Sequence, residues 1–230
     1  EEMINRKISI PWWCMTRANL VTQEIVSIMK KAGCHMISLG VESGSGRMLE
    51  KIKKNITPEQ AVSAARYGKD SSIYFSYSFI INLPDETRED FRLTFSLMER
   101  LLSIKKNSFV SAVHHYFAYP GTPLSIEIEN KMGYKIEEKF NFEQFGGLSL
   151  KEYNNLINHQ KEDICRKCIV YYHYRLEIPF QFKPNIRSIY YDVFRTIGIV
   201  RKKLNFYRLP LEIYLVKWLK SIIKRPLWDI

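Results

Sequence analysis

Gly40-Val41-Glu42-Ser43-Gly44-Ser45-Gly46 holds the residue types best suited to chemistry, a carboxylate followed by a turn of small residues. At the end of a strand the carboxylate offers acceptors for hydroxyls or an ammonium, and the turn offers backbone N–H donors for a carboxylate. That set suits a zwitterionic nucleoside. The same glycines also fit a tight strand-to-helix turn with Glu42 as a solvated acid, because short Gly-rich matches are common. Two later loops share this double character. In Ser78-Phe79-Ile80-Ile81-Asn82-Leu83-Pro84-Asp85-Glu86-Thr87, Asn82 suits a left-handed backbone, Pro84 ends a strand and Glu86 opens a helix. Tyr119-Pro120-Gly121-Thr122-Pro123-Leu124 is a Pro-Gly turn of the same kind. Cys165-Arg166-Lys167-Cys168 has basic neighbours that favour thiolates, as a redox pair or half a zinc site would need. No second such pair accompanies it, and at helical spacing the two sulfurs read as thiols on one face. His114 and His115 are adjacent in a strand, so they point to opposite faces and cannot chelate one metal. His115 or Tyr116 is placed to line a cavity, beside the plainer reading of a core histidine. No metal site and no catalytic residue is assigned.

These loops need a scaffold, and the first 125 residues supply a repeating one. Apolar runs at 8–13, 36–41, 73–81 and 109–117 read as strands, with amphipathic stretches between them reading as helices. One helix follows Thr22, with Ile25, Ile28, Met29 and Ala32 on one face and Gly33 as its stop. A second opens at Thr57-Pro58-Glu59-Gln60 with a capping box, and a third at Glu86-Thr87-Arg88-Glu89-Asp90. The third buries Phe91, Phe95, Leu97, Met98, Leu101 and Leu102. The βαβαβαβ order implies parallel strands, in a doubly wound sheet or a barrel, with ligands at the strands' carboxyl ends. Residues 126–148 are polar and read as a connector. Residues 149–230 read as a mainly helical region, opening with Ser149-Leu150-Lys151-Glu152. Cys14 and Cys34 are expected to be buried near strand and helix ends.

Charge separates the two parts. Residues 151–230 hold 16 Lys+Arg against 7 Asp+Glu, whereas residues 1–150 hold 19 against 17. The four cysteines are too few for a secreted disulfide framework, so a reducing cytoplasm is expected. No window approaches the roughly 18 apolar residues of a membrane span.

The three loops together, in this order and spacing, resemble those of radical S-adenosylmethionine (SAM) proteins over residues 8 to about 125. The resemblance implies an α/β fold: a partial (β/α) barrel of radical SAM type, later strands only, over residues 1–125. It also implies SAM as cofactor and a four-iron, four-sulfur cluster held by a CxxxCxxC loop. Reductive cleavage of SAM there yields methionine and a 5′-deoxyadenosyl radical. By this resemblance Glu42 and Ser43 meet the SAM ribose and amino group, and Ile80 with the backbone near Asn82 packs on the adenine. The backbone of Tyr119 and Pro120 meets the adenine edge, and Arg17 meets the SAM carboxylate or the substrate. Three family glycines are Ser78, Asn82 and Asp85 here, and no CxxxCxxC occurs. The expectation is therefore a fragment whose cluster ligands precede Glu1.

The Trp-Cys-x-Thr-Arg segment and the basic, aromatic tail most resemble members with a cobalamin-binding domain ahead of the barrel, among them methyltransferases and cyclases. The implied partners are a small-molecule or lipid-like substrate and an electron donor such as a flavodoxin or ferredoxin, with no nucleic acid. The helix at 211–224 has Leu211, Leu215, Trp218, Leu219 and Ile222 on one side and lysines around the other. It suits either docking on the barrel or peripheral contact with anionic lipid. A non-catalytic SAM-binding scaffold, or a membrane-binding protein acting through this tail, stands as the alternative function.

Overall fold

Strand and helix alternate as the hydrophobic pattern requires. The computed structural model describes residues 1–116 and 118–133 and a scatter of positions between 193 and 218, which fall in two compact units. The first unit runs α1 (Glu2–Asn5), β1 (Trp12–Thr16), a 3₁₀ turn (Ala18–Leu20), α2 (Gln23–Lys31), β2 (Cys34–Glu42), α3 (Gly46–Lys51), α4 (Pro58–Tyr67), β3 (Tyr74–Ile81), α5 (Arg88–Ile104), β4 (Ser108–His115) and α6 (Pro123–Met132). The strands pair in parallel in the order β1-β2-β3-β4.

That order distinguishes the two architectures the pattern left open. Right-handed crossovers between strands whose order never reverses put every connecting helix on one face, whereas a doubly wound sheet needs a reversal. Burial agrees. Ile37, Leu39 and Val41 of β2 and Phe75, Tyr77, Phe79 and Ile81 of β3 are at most 1% exposed. The alternate residues Ser38, Gly40 and Glu42, and Ser78 and Ile80, are only half-buried. The sheet is one wall of a βα barrel. Phe75 and Phe79 each contribute roughly 2–3 kcal/mol by burial.

Local signals set most boundaries. Thr57 accepts from the Gln60 amide at 3.2 Å while the Gln60 side chain accepts from the Thr57 amide at 2.9 Å, closing the expected capping box. Gly33, at φ +88°, ends α2 as expected. On that helix Val26 and not Ile25 is buried. The first strand starts four residues later than the apolar run, because Pro11 has no N–H to give a ladder; Ile10 is left exposed. The third helix begins at Arg88, with Thr87 as N-cap and Asp90 closing a second capping box. Glu86, expected in its first turn, is buried and accepts from the Asn82 amide. α6 crosses residue 125, the expected end of the barrel segment.

The amino ends of the strands are tied shut. Lys105 is 1% exposed, donates to the Ser71 carbonyl at 2.6 Å and lies 5.8 Å from the Phe75 ring centre, and burial pulls its pKa down. The connector from 134 on, the helix expected from Ser149, the Cys165 and Cys168 pair and the His115 side chain lie outside the described residues.

Candidate functional site

The carboxyl ends of β2, β3 and β4 surround an open cavity of about 370 Å³. Glu42, Ile80, Leu83, Tyr116, Tyr119 and Leu124 line it, with Lys51–Lys54 along one rim. Glu42 ends β2 in a left-handed conformation, φ +67°. The register with β3 slips there, Gly40 pairing with Ser78 and Glu42 with Phe79. Glu42 Oε1 accepts from Lys54 Nζ at 2.6 Å, and the two side chains are only 13% and 27% exposed. Gly40 leaves room for this pair: a β-carbon on it would lie 2.5 Å from Glu42 Oε1 and 3.0 Å from Lys54 Nζ.

The turn beyond Glu42 is docked on α5. Ser43 is fully buried, with its hydroxyl 3.0 Å from that of Thr94. The Gly44 amide donates to Thr94 Oγ1 at 2.9 Å, and the Ser45 amide donates to Ser43 Oγ at 3.1 Å. The Ser43, Gly44 and Ser45 amides are thus engaged within the protein. A β-carbon on Gly44 would lie 2.3 Å from the Leu93 carbonyl oxygen, so only glycine permits this approach. Asp90 anchors the turn, accepting from Ser45 Oγ at 2.6 Å, from the Thr87 amide and hydroxyl, and from Arg47. Burial opposes its ionisation, but these hydrogen bonds win and hold its carboxyl well below the usual carboxylate range.

The loop after β3 carries two residues with positive φ, Asn82 at +60° and Asp85 at +58°. Both stand where the resemblance expects glycine, and Asn and Asp are the residues that best tolerate that backbone in glycine's place. Asn82 is buried, and its amide donates to Glu86 at 2.7 Å. Asp85 accepts from Lys51 Nζ at 2.6 Å and from Lys131 at 3.2 Å, and Glu127 accepts from the same two lysines at 3.1 and 3.0 Å. The Lys51 hydrogen bond, then Lys131, pull the Asp85 pKa down to about 2. This ring ties α3, the β3 loop and α6 together around the cavity. After β4, the Tyr116 amide donates to the Ile81 carbonyl at 2.8 Å, and burial pushes its phenol pKa up. Tyr119 stands half-exposed at the mouth, its carbonyl accepting from the Thr122 hydroxyl at 2.9 Å; Pro120 is beside it but off the lining.

The structure thus brings Glu42, Ile80 and Tyr119 together on one cavity. Ser43 and Asn82 shape its loops. Arg17 is exposed, and its guanidinium donates to the carbonyls of Lys54 at 2.6 Å and Asn55 at 3.1 Å, fixing the turn that presents Lys54. Sequence reasoning missed Lys54 itself, which sits in the charged run Lys51-Ile52-Lys53-Lys54, a pattern that ordinarily marks a solvated face. Cys34 is buried and Cys14 half-buried, on neighbouring strands.

Residues 3–98 match the family described as the radical SAM superfamily. An uncharacterized methyltransferase of Pyrococcus horikoshii is 38% identical over 117 residues, 51% of this chain and 24% of that one. The anaerobic magnesium-protoporphyrin IX monomethyl ester cyclase of Rubrivivax gelatinosus is 28% identical over 144 residues, 62% of this chain and 25% of that one. The chain thus aligns with about a quarter of the length of these relatives. Among solved structures, the cobalamin-dependent S-adenosylmethionine radical enzyme OxsB, with aqua-cobalamin and S-adenosylmethionine bound, superposes with a TM-score of 0.57 at 19% identity, covering 95% of this chain and 38% of that one. That likeness shows a shared fold. The segment matched to that family, residues 3–98, holds β1, β2, β3 and the Glu42–Lys54 pair.

Proposed function

We propose that the cavity is the nucleoside side of an S-adenosylmethionine site in a radical SAM enzyme of which this chain forms a part. The observation that carries this is the buried-edge ion pair Glu42–Lys54 at the mouth of an apolar cavity formed at the carboxyl ends of parallel strands. The donor set fits the ligand. Glu42 offers a carboxylate to ribose hydroxyls or an ammonium, Lys54 offers an ammonium to a carboxylate, and Ile80, Leu83 and Leu124 offer apolar surface to a purine. Ser43, Asn82 and Arg17 hold the loops that present these groups. Bound at a four-iron, four-sulfur cluster, S-adenosylmethionine would supply a radical on reductive cleavage. An electron donor such as a flavodoxin or ferredoxin is then required. The names of the relatives and the cobalamin in OxsB support methyl transfer or cyclisation of a small or lipid-like organic substrate as the reaction class.

Calorimetric titration with S-adenosylmethionine, on the chain and on Glu42→Ala, tests this reading. Loss of a charge-assisted hydrogen bond, about 1.5–3 kcal/mol, weakens binding by roughly 10- to 150-fold. Equal affinity in a folded Glu42→Ala protein would overturn the assignment.

A further inference from the structure

We infer that the second unit, Arg166–Leu176 with Phe182–Ile230, carries a docking surface for anionic lipid bilayers, formed by the outward apolar stripes of two helices whose described positions fall within 193–203 and 211–218. In the first helix Val193 and Val200, followed in its final turn by Leu204, stand seven and four residues apart and so share one face; each is about half or more exposed. In the second, Leu211, Tyr214, Leu215 and Trp218 follow the i, i+3, i+4, i+7 pattern, and all four are 54–66% exposed. On a helix of a water-soluble domain this stripe is the face that turns inward. Here it faces out along both helices.

The corner between the helices is rigidly built. Arg201 donates from Nε and Nη2 to the two carboxylate oxygens of Glu212 at 2.5 and 2.6 Å, and these side chains are only 11% and 15% exposed. The same guanidinium donates to the carbonyls of Phe206 at 3.2 Å and Leu209 at 3.0 Å. A bidentate pair with two further carbonyls fixes one helix against the other, so both stripes are held in place before anything binds.

Charge selects the occupant. Residues 186–230 hold 10 Lys+Arg against 3 Asp+Glu. A second copy of this region would bring the same net positive charge and be repelled. A nucleic acid would satisfy the charge but leave the leucines and Trp218 in water. A bilayer with anionic headgroups uses both, at about 1 kcal/mol per basic residue near its surface plus burial of the stripe, with Tyr214 and Trp218 at headgroup level.

Flotation of the whole chain with phosphatidylcholine vesicles, with and without phosphatidylserine, tests the inference beside the variant Leu211→Glu/Leu215→Glu. The expected result is flotation that requires phosphatidylserine, fades at high salt and weakens at least tenfold in the variant, as the loss of two buried leucines implies. Both side chains face solvent, so the variant keeps the melting temperature of the parent. No flotation with phosphatidylserine vesicles, equal flotation of the variant, or a variant that unfolds would each overturn the inference. So would a concentration-dependent dimer, in gel filtration without lipid, that the variant abolishes.

Discussion

Gly40→Ala separates the site from the fold. Gly40 lies in β2 without a positive φ, so alanine fits its backbone. The new β-carbon would stand 2.5 Å from Glu42 Oε1 and 3.0 Å from Lys54 Nζ, whereas ordinary contacts begin near 3.4 Å. The obstructing atoms are the ends of flexible side chains, so they move and the strand does not. Replacing glycine in a strand stabilises by about 0.4–1 kcal/mol through the unfolded chain, which offsets most of the displaced ion pair. The net change is within about 1 kcal/mol, a melting shift of no more than roughly 4 °C in a chain of this size. Nucleoside binding responds differently. With Glu42 and Lys54 pushed off their positions, affinity for S-adenosylmethionine falls by roughly 10- to 150-fold, the worth of one charge-assisted hydrogen bond. Thermal melts followed by circular dichroism, paired with calorimetry, read the two effects separately. Wild-type affinity in the folded variant would refute the role given to the pair, and a large drop in melting temperature would refute the claim that only side-chain ends are displaced.

Gly44→Ala has the opposite signature, because its β-carbon would meet the main chain of α5, 2.3 Å from the Leu93 carbonyl oxygen and 2.6 Å from Thr94 Cα. It costs about 3 kcal/mol or more in urea unfolding, and a cost below about 1 kcal/mol would show that the turn is not docked as described. Asp90→Asn costs about 2–3 kcal/mol at neutral pH through the bonds from Ser45 and Thr87, with little counted for the half-exposed Arg47. The folded carboxyl titrates below the unfolded value of about 3.9, so its stabilisation is complete above that pH and lost as pH falls through the folded value. Melts from neutral to acid pH therefore show a constant gap between wild type and variant down to about pH 5 that narrows below pH 4; a gap that widens on acidification would contradict this.

Features fixed by neighbours in the chain were legible from sequence. The capping box at Thr57 and Gln60 and the stop at Gly33 rest on local hydrogen bonding and φ, and both are in place. The alternation of strands and helices and the order of the three loops located the cavity and placed Glu42, Ile80 and Tyr119 on it. What escaped depends on contacts distant in sequence. Ser43 turns toward Thr94, 51 residues on, and Arg17 toward the carbonyls of Lys54 and Asn55, 37 and 38 residues on. No period or motif announces such partners. Lys54 was hidden for another reason: in a run of lysines, only a carboxylate held within reach distinguishes a site residue from a solvated one.

The two ends of the sheet are held by different physics, and the difference suits the roles given to them. At the amino ends a buried lysine with a carbonyl partner closes the αβ turns, and Ser108 donates to the Lys105 carbonyl beneath it; little there can move without leaving polar groups unsatisfied. At the carboxyl ends the loops are joined by ion pairs, the part-buried Glu42 with Lys54, and the more exposed Asp85 and Glu127 with Lys51 and Lys131. Exposed pairs contribute little stability each and exchange partners at little cost. In the proposed site a zwitterion would pair its ammonium with Glu42 and its carboxylate with Lys54, so neither part-buried charge is left without a partner. The left-handed Asn82 and Asp85 fit the same division, since they keep the loop in a glycine-like path while Asp85 gains a carboxylate for the ring around the cavity.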